Sequence, residues 1–240
     1  MFSLTNLSVK PCRLTSKLGL RILKTFMLGV LSLAFIASPL MSFAKQQPTH
    51  TILVFGDSLS AAYGLPAEQG WVALLQKKLN GFSQTHFSHR FKVINASVSG
   101  ETTSGGLSRF EAALKKNKPD IVILELGAND GLRGLPIAEM RSNLEKMLLL
   151  SKQYRTKVLL IGMKIPPNYG AKYTQSFSET YSRLSKQYQT GLVPFMLDKI
   201  AAKPTLIQQD GLHPNALGQP IILNNIWPQL LPSIKLQIAK

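Results

Sequence analysis

Five positions in this sequence bring together the groups that acyl transfer needs. Ser58 stands in Gly56-Asp57-Ser58-Leu59-Ser60, a hydroxyl placed just after a glycine that permits a tight turn. Asp210-Gly-Leu-His213 sets a carboxylate three residues before an imidazole. On a short turn the carboxylate can reach the ring, fix its tautomer and stabilise the imidazolium. His213 is the only histidine after residue 89. Asn129, in Gly127-Ala128-Asn129-Asp130-Gly131, offers a side-chain N–H donor of the kind that holds an oxyanion. Gly100 can bring a backbone N–H close to a ligand. A nucleophile, a base, an orienting acid and two further donors are thereby present. Each position also has a plainer reading. Asp57 and Ser58 suit a helix cap, and Asn129 suits an Asx turn. Gly100 suits an ordinary turn, and Asp210–His213 a helix start capped by Asn215.

The elements that must position these groups are legible as alternating apolar runs and amphipathic stretches. Thr51–Phe55, Phe91–Asn95, Asp120–Glu125, Lys157–Ile161 and Leu192-Val193 read as strands. Helices are expected where Trp71, Leu74, Leu75 and Leu79 recur, and where Leu107, Phe110 and Leu114 recur before Pro119. Others are expected over Ile137–Tyr154, near Tyr173–Tyr188, and from about Asn215. Strands alternating with helices imply a parallel sheet covered on both faces, a three-layer α/β/α sandwich in one domain. Ligands then bind at the carboxyl ends of the strands. Ser58 follows the first strand and would begin the next helical segment, whose free N–H groups favour an anion. Gly100 follows the second strand and Asn129 the third. Leu132, Leu135, Ile165, Pro166, Tyr169 and Leu212 lie near the same ends and suit an acyl chain or aromatic ring. Each of them equally suits packing on its neighbours.

Composition narrows the classes. The 240 residues are 45% hydrophobic and 17% charged, which excludes a mostly disordered or fibrous chain. The single cysteine, Cys12, excludes an intramolecular disulfide framework and a cysteine-based zinc site. Four histidines argue against a His-rich metal cluster, and His50, His86 and His89 read as solvated residues. Residues 1–44 hold five basic side chains, no acid, and an uncharged stretch from Thr25 to Ala44 ending in Ser42-Phe43-Ala44. This is the order of a cleavable secretory signal peptide, with an uncleaved anchor as its rival. Residues 45–50 are then expected to form a short lead and 51–240 a single folded domain. Removing the five basic residues of 1–44 leaves 23 basic against 12 acidic side chains, a net of +11. Such a surface is either simply solvated or makes weak contact with anionic lipid. The basic residues are scattered and not interleaved with aromatics, so nucleic acid is not an expected partner. The glycines of 100–106 lack P-loop spacing, and no lysine follows Gly106.

Taken together, these blocks resemble the SGNH, or GDSL, hydrolase family. Gly56-Asp57-Ser58-Leu59 is similar to its first block, Gly100 to the second, Gly127-Ala-Asn129-Asp130 to the third and Asp210-Gly-Leu-His213 to the fifth. Asn95–Gly100, Glu125–Gly134 and Pro166–Gly170 look like the bacterial periplasmic arylesterase and acyl-CoA thioesterase/lysophospholipase group. The resemblance covers residues 50–232. It implies a flavodoxin-like, mostly parallel five-stranded sheet and an exported serine esterase acting on aryl esters, lysophospholipids or acyl thioesters. It also implies Ser58 as nucleophile, His213 as base, Asp210 as its partner, and an oxyanion hole of Ser58, Gly100 and Asn129. By resemblance, the loop carrying Leu132 and Leu135 lines the acyl groove, and no metal or organic cofactor is needed. A monomer is the expectation, and the sequence leaves the oligomeric state open. Ala62 and Ala128 depart from the glycines of some relatives, and Ala128 would narrow the pocket mouth. No G-x-S-x-G elbow occurs, which excludes an ordinary α/β-hydrolase. The rivals are a carbohydrate O-deacetylase on the same fold and a non-catalytic acyl- or lipid-binding module. A flavodoxin-like nucleotide binder finds no phosphate-cradling glycine pattern to support it.

Overall fold

The structure is a computed structural model that describes residues 47–86 and 89–239. The signal-peptide reading of residues 1–44, Cys12 included, lies outside the described residues, as does the side chain of His86.

Five strands form one sheet: β1 (Thr49–Gly56), β2 (Arg90–Asn95), β3 (Ile121–Glu125), β4 (Lys157–Ile161) and β5 (Gly191–Val193). Their order is β2-β1-β3-β4-β5, and every pairing is parallel. The central strands read as unbroken apolar runs because both faces are covered. Ile52–Phe55, Ile121–Leu124 and Leu159–Ile161 are fully buried. Helices α1 (Trp71–His86) and α6 (Gln219–Ile238) pack together on one face. Helices α2 (Thr103–Asn117), α4 (Ile137–Gln153) and α5 (Ala171–Tyr188) cover the other. Trp71, Leu75 and Leu79 recur at helical spacing and are all fully buried. Each such side chain contributes roughly 1.5–3 kcal/mol by leaving water. From β1 the chain crosses to β2 on one side, then returns past β1 to β3 on the other. That reversal opens a crevice between the carboxyl ends of β1 and β3.

Three local readings are corrected. Ser58 does not begin a helix. Residues 57–65 form successive turns, with Ala61 N–H bonded to Asp57 O at 2.9 Å and Tyr63 N–H to Ser58 O at 3.2 Å. Ala62 (φ 60°) and Gly64 (φ 74°) are left-handed there, which ends any helical run. Asn129 is not in an Asx turn but in the first turn of a five-residue helix, α3 (Ala128–Leu132). The last helix starts at Gln219 and not near Asn215. Asn215 Oδ1 instead accepts N–H groups from Leu217 (3.0 Å) and Gly218 (3.3 Å) in a turn that precedes it.

Candidate active site

Two turns bring the nucleophile and base candidates together. His213 Nε2 lies 2.8 Å from Ser58 Oγ, across 155 residues of chain. His213 Nδ1 lies 2.7 Å from Asp210 Oδ2. The other Asp210 oxygen accepts the backbone N–H groups of Leu212 (2.9 Å) and His213 (3.0 Å). Those backbone N–H groups, His213 first, together with the imidazole beside it, lower the Asp210 carboxyl to about 2. It is therefore ionised at neutral pH and able to hold the ring with Nε2 toward the serine. The tilted ring of Tyr63 covers His213 at 4.5 Å between centroids. Gln208 binds this turn to the nucleophile side. Its N–H donates to His213 O (2.7 Å), and its side chain to Pro214 O (3.0 Å) and Tyr63 O (2.9 Å).

The oxyanion candidates converge on the same crevice. Ser58, Gly100, Asn129 and His213 all line it. Gly100 has φ +78°, and a Cβ there would meet nothing closer than Arg133 Nη2 at 3.8 Å. The backbone angle, not space, demands glycine at this position. Two arginines hold the loop that carries it. Arg133 Nη2 donates to Gly100 O at 2.9 Å. Arg109 lies 3.9 Å over the Phe55 ring, donates to Ala96 O at 2.7 Å, and forms an ion pair with the buried Glu101 carboxylate. Asn129 Nδ2 donates to Glu101 O and to Asp57 Oδ2, both at 3.1 Å. Both amide hydrogens are thus engaged before any substrate arrives: Asp57 fixes the orientation of the group, and the hydrogen now on Glu101 O is the one an oxyanion on this rim would take over. Next to it, Asp130 accepts both the N–H (2.8 Å) and hydroxyl (2.6 Å) of Thr103, which ties α3 to the start of α2.

The crevice continues into an open groove of about 580 Å³. Leu132, Ile165, Pro166 and Leu212 line it, as the sequence suggests. Leu135 and Tyr169 do not. Tyr169 donates its hydroxyl to Leu132 O at 2.7 Å, and Leu135 O accepts the Tyr173 hydroxyl at 2.7 Å. They brace the wall from behind. The reason is geometric: the turn after α3 folds toward α5, so only its first apolar residue reaches the groove. Ala128 lines the groove beside Asn129. Sequence reasoning missed Met163, Lys164, Phe195, Leu197, Ala201 and Ile207, which supply much of the remaining wall. Phe195 and Leu197 follow β5, so the strand-end rule applied to that short strand finds them. His50 and His89, read as solvated, are instead paired at the amino end of the sheet. Their rings stack at 5.2 Å, with nitrogens 3.0 Å apart, and Asp120 lies 3.6 Å from His50.

Residues 54–221 match the GDSL-like Lipase/Acylhydrolase family, to which this chain belongs. It is 45% identical over 193 residues to Esterase TesA of Pseudomonas aeruginosa, covering 80% of this chain and 94% of that protein. It is 41% identical to an arylesterase of Vibrio mimicus (78% and 92% covered). It is 37% identical to Thioesterase 1/protease 1/lysophospholipase L1 of Escherichia coli K12 (84% and 93% covered). Among solved structures, that of TesA superposes with a TM-score of 0.73 at 46% identity, covering 77% of this chain and 99% of that one. The psychrotrophic esterase EstA from a Pseudoalteromonas species, inhibited by monoethylphosphonate, superposes with a TM-score of 0.72 at 40% identity (78% and 99% covered). The protein is an SGNH-type carboxylic ester hydrolase.

Proposed function

We propose that Ser58, His213 and Asp210 carry out this hydrolysis through an acyl-serine intermediate, on substrates with an apolar acyl or aryl group. The observation that carries the reading is the continuous relay Asp210–His213–Ser58, opening directly on an apolar groove. His213 Nε2 takes the Ser58 proton as Oγ attacks the carbonyl carbon. Negative charge develops on the carbonyl oxygen, where Asn129 Nδ2 and the N–H groups of Ser58 and Gly100 receive it. The imidazolium, stabilised by the ionised Asp210, protonates the departing alcohol or thiol. Water then enters, His213 takes its proton, and the same steps in reverse order release the acid.

Aryl esters, acyl thioesters and lysophospholipids are the substrate classes, in keeping with the names of the similar proteins. Leu132, Ile165, Pro166 and Leu212 contact the acyl group. Residues 1–44 direct export to the periplasm and are then removed, leaving residues 45–240 with the hydrolase domain at 51–240; the enzyme acts as a monomer and makes weak contact with anionic membrane through its basic surface. Support for export comes from the basic-then-apolar order of residues 1–44. The test uses the purified protein with p-nitrophenyl esters of increasing chain length, an acyl thioester and a lysophospholipid. A fluorophosphonate should label Ser58 alone, and Ser58→Ala should abolish labelling and turnover. Labelling at another serine would overturn the assignment, and turnover confined to acetyl esters would overturn the acyl-groove reading.

A further inference from the structure

Beneath the nucleophile turn lies an acid that the catalytic cycle does not use. Glu125 is the last residue of β3, opposite Gly56 in register, and its side chain is fully buried. A Cβ on Gly56 would fall 2.5 Å from its Oε2, so the glycine is what admits the carboxyl under the turn. Oε2 accepts the Ser60 hydroxyl at 2.7 Å and the Asp57 N–H at 3.2 Å. Oε1 is buried and, among the described residues, has no hydrogen-bond partner. Asp57, itself 1% exposed, gives its backbone N–H to this carboxyl, so two buried acids are neighbours and each bears on the other's charge. Asp57 in turn accepts Leu59 N–H at 3.0 Å and Asn129 Nδ2–H at 3.1 Å.

Two ionised carboxylates can only accept, so facing each other in a dry site they repel. Among the described residues, His213 across the crevice acts on Asp57, and Tyr181 on the helix side lies near enough to feel both acids. Neither is a fixed cation. Tyr181 gives its hydroxyl to Leu126 O at 3.0 Å and supplies no proton to the pair. One proton on Glu125 removes the repulsion and gives the acid pair the donor it lacks.

We propose that Glu125 is a positioning residue: a neutral carboxylic acid that shares its proton with the Asp57 carboxylate and so fixes the acceptor that aims Asn129. This rests on the esterase reading through the role of Asn129. Burial pushes the Glu125 carboxyl well above the usual range, and the neighbouring Asp57 adds to the effect. Burial also raises Asp57, to about 6, while hydrogen bonds from Leu59 and Asn129 hold it down. Asp57 is therefore the member of the pair that is ionised at neutral pH.

The test compares Glu125→Gln, whose amide can accept from Ser60 and donate to Asp57 as the neutral acid does, with Glu125→Met, which can do neither. Gln should keep kcat within about threefold. Met should lower kcat by about tenfold or more, less than outright loss of an oxyanion donor, with KM changed by less than about twofold. In Met, Asp57 loses its donor and ionises less readily, so the acid limb of kcat should move to higher pH. Independently of turnover, the infrared spectrum of the wild type at pH 7 should show the carbonyl stretch of a protonated carboxyl that Glu125→Gln lacks. Identical spectra, a Gln variant as impaired as Met, or a Met variant with an unshifted pH profile would each overturn the inference. If Met fails to fold, the spectrum and the near-isosteric Gln variant decide. The infrared band can be present or absent whether or not Ser58 is the nucleophile, so this inference and the esterase reading fail separately.

Discussion

The nucleophile turn, residues 56–60, and the histidine turn, residues 208–215, are held by opposite means. The first is fixed by groups far away in sequence. Glu125 reaches it across 68 residues and Asn129 across 72. The second is held largely by itself, through Asp210 to Leu212 and His213, and through Gln208 to His213 and Pro214. The aspartates show the contrast most clearly. Asp57 is buried and its carboxyl is raised to about 6 by desolvation. Asp210 is 36% exposed and its carboxyl is lowered to about 2 by backbone N–H groups. One is charged at a cost in stability, and the other gains stability from being charged. The core of the sheet can impose a costly ion where the donors of a reaction must stay fixed. A surface turn can carry only an ion that is favourable on its own.

The largest expected effect joins the two turns. Ser58→Ala and His213→Ala should each lose at least about 10⁴ in kcat, and the double variant should be little worse than either, because members of one catalytic unit are not additive. Steady-state kinetics on an aryl ester checks this. Full additivity would mean that the turns act independently. Next comes Asn129→Ala, which removes a donor held by the nucleophile side and should cost about 10²–10³ in kcat with the fold intact. Turnover at the wild-type level would take Asn129 out of the reaction.

A smaller effect separates the sides by pH. Below about 6 the Asp57 carboxylate takes up a proton, Asn129 loses its anionic acceptor, and kcat should fall with it. His213 must also be neutral to act as a base, so two protonations should shape the acid limb of the wild type. In Asn129→Ala the Asp57 charge no longer matters to the oxyanion, and the limb should become shallower. Equal steepness in both proteins would break the link between Asp57 and Asn129.

Legibility in the sequence divides along the same line. The histidine turn is readable because its hydrogen bonds span three residues, and the Asp210–His213 spacing states them directly. The alternation of strands and helices predicts the three-layer fold and places Ser58, Gly100 and Asn129 on one rim. The support of the nucleophile turn is not readable. Nothing local to Asp57 says that a second carboxyl will lie beneath it, since Glu125 looks like the polar end of an ordinary strand. The helix expected at Ser58 fails for a related reason. Ala62 takes a left-handed angle that propensity assigns to glycine, and Gly70 leaves room for its methyl, which lies 2.6 Å from where a Cβ on Gly70 would be. The groove wall beyond β5 is within reach of the sequence: the Leu192-Val193 strand is read with its carboxyl end in place, and the strand-end rule, carried on from there, leads to Phe195 and Leu197.

The smallest effect concerns stability and has opposite signs on the two sides. A carboxyl lowered by folding contributes stability that is present above its unfolded value and is lost as pH falls through its folded value. For Asp210 the contribution should be in place above about 4 and gone near 2. Because the group is largely solvated, it should amount to no more than about 1 kcal/mol. Asp210→Ala should therefore unfold slightly more easily than wild type in urea at pH 7, and the gap should close as pH approaches 2. Asp57 and Glu125 act the other way. Their folded forms hold protons that the unfolded chain gives up, so their share of stability is full below about 4 and declines as pH rises through 6. Urea midpoints of wild type, Asp210→Ala and Glu125→Gln across this range resolve the two signs. If Asp210→Ala differs from wild type by a constant amount at every pH, its carboxylate is a packing group and not an ion stabilised by its own turn.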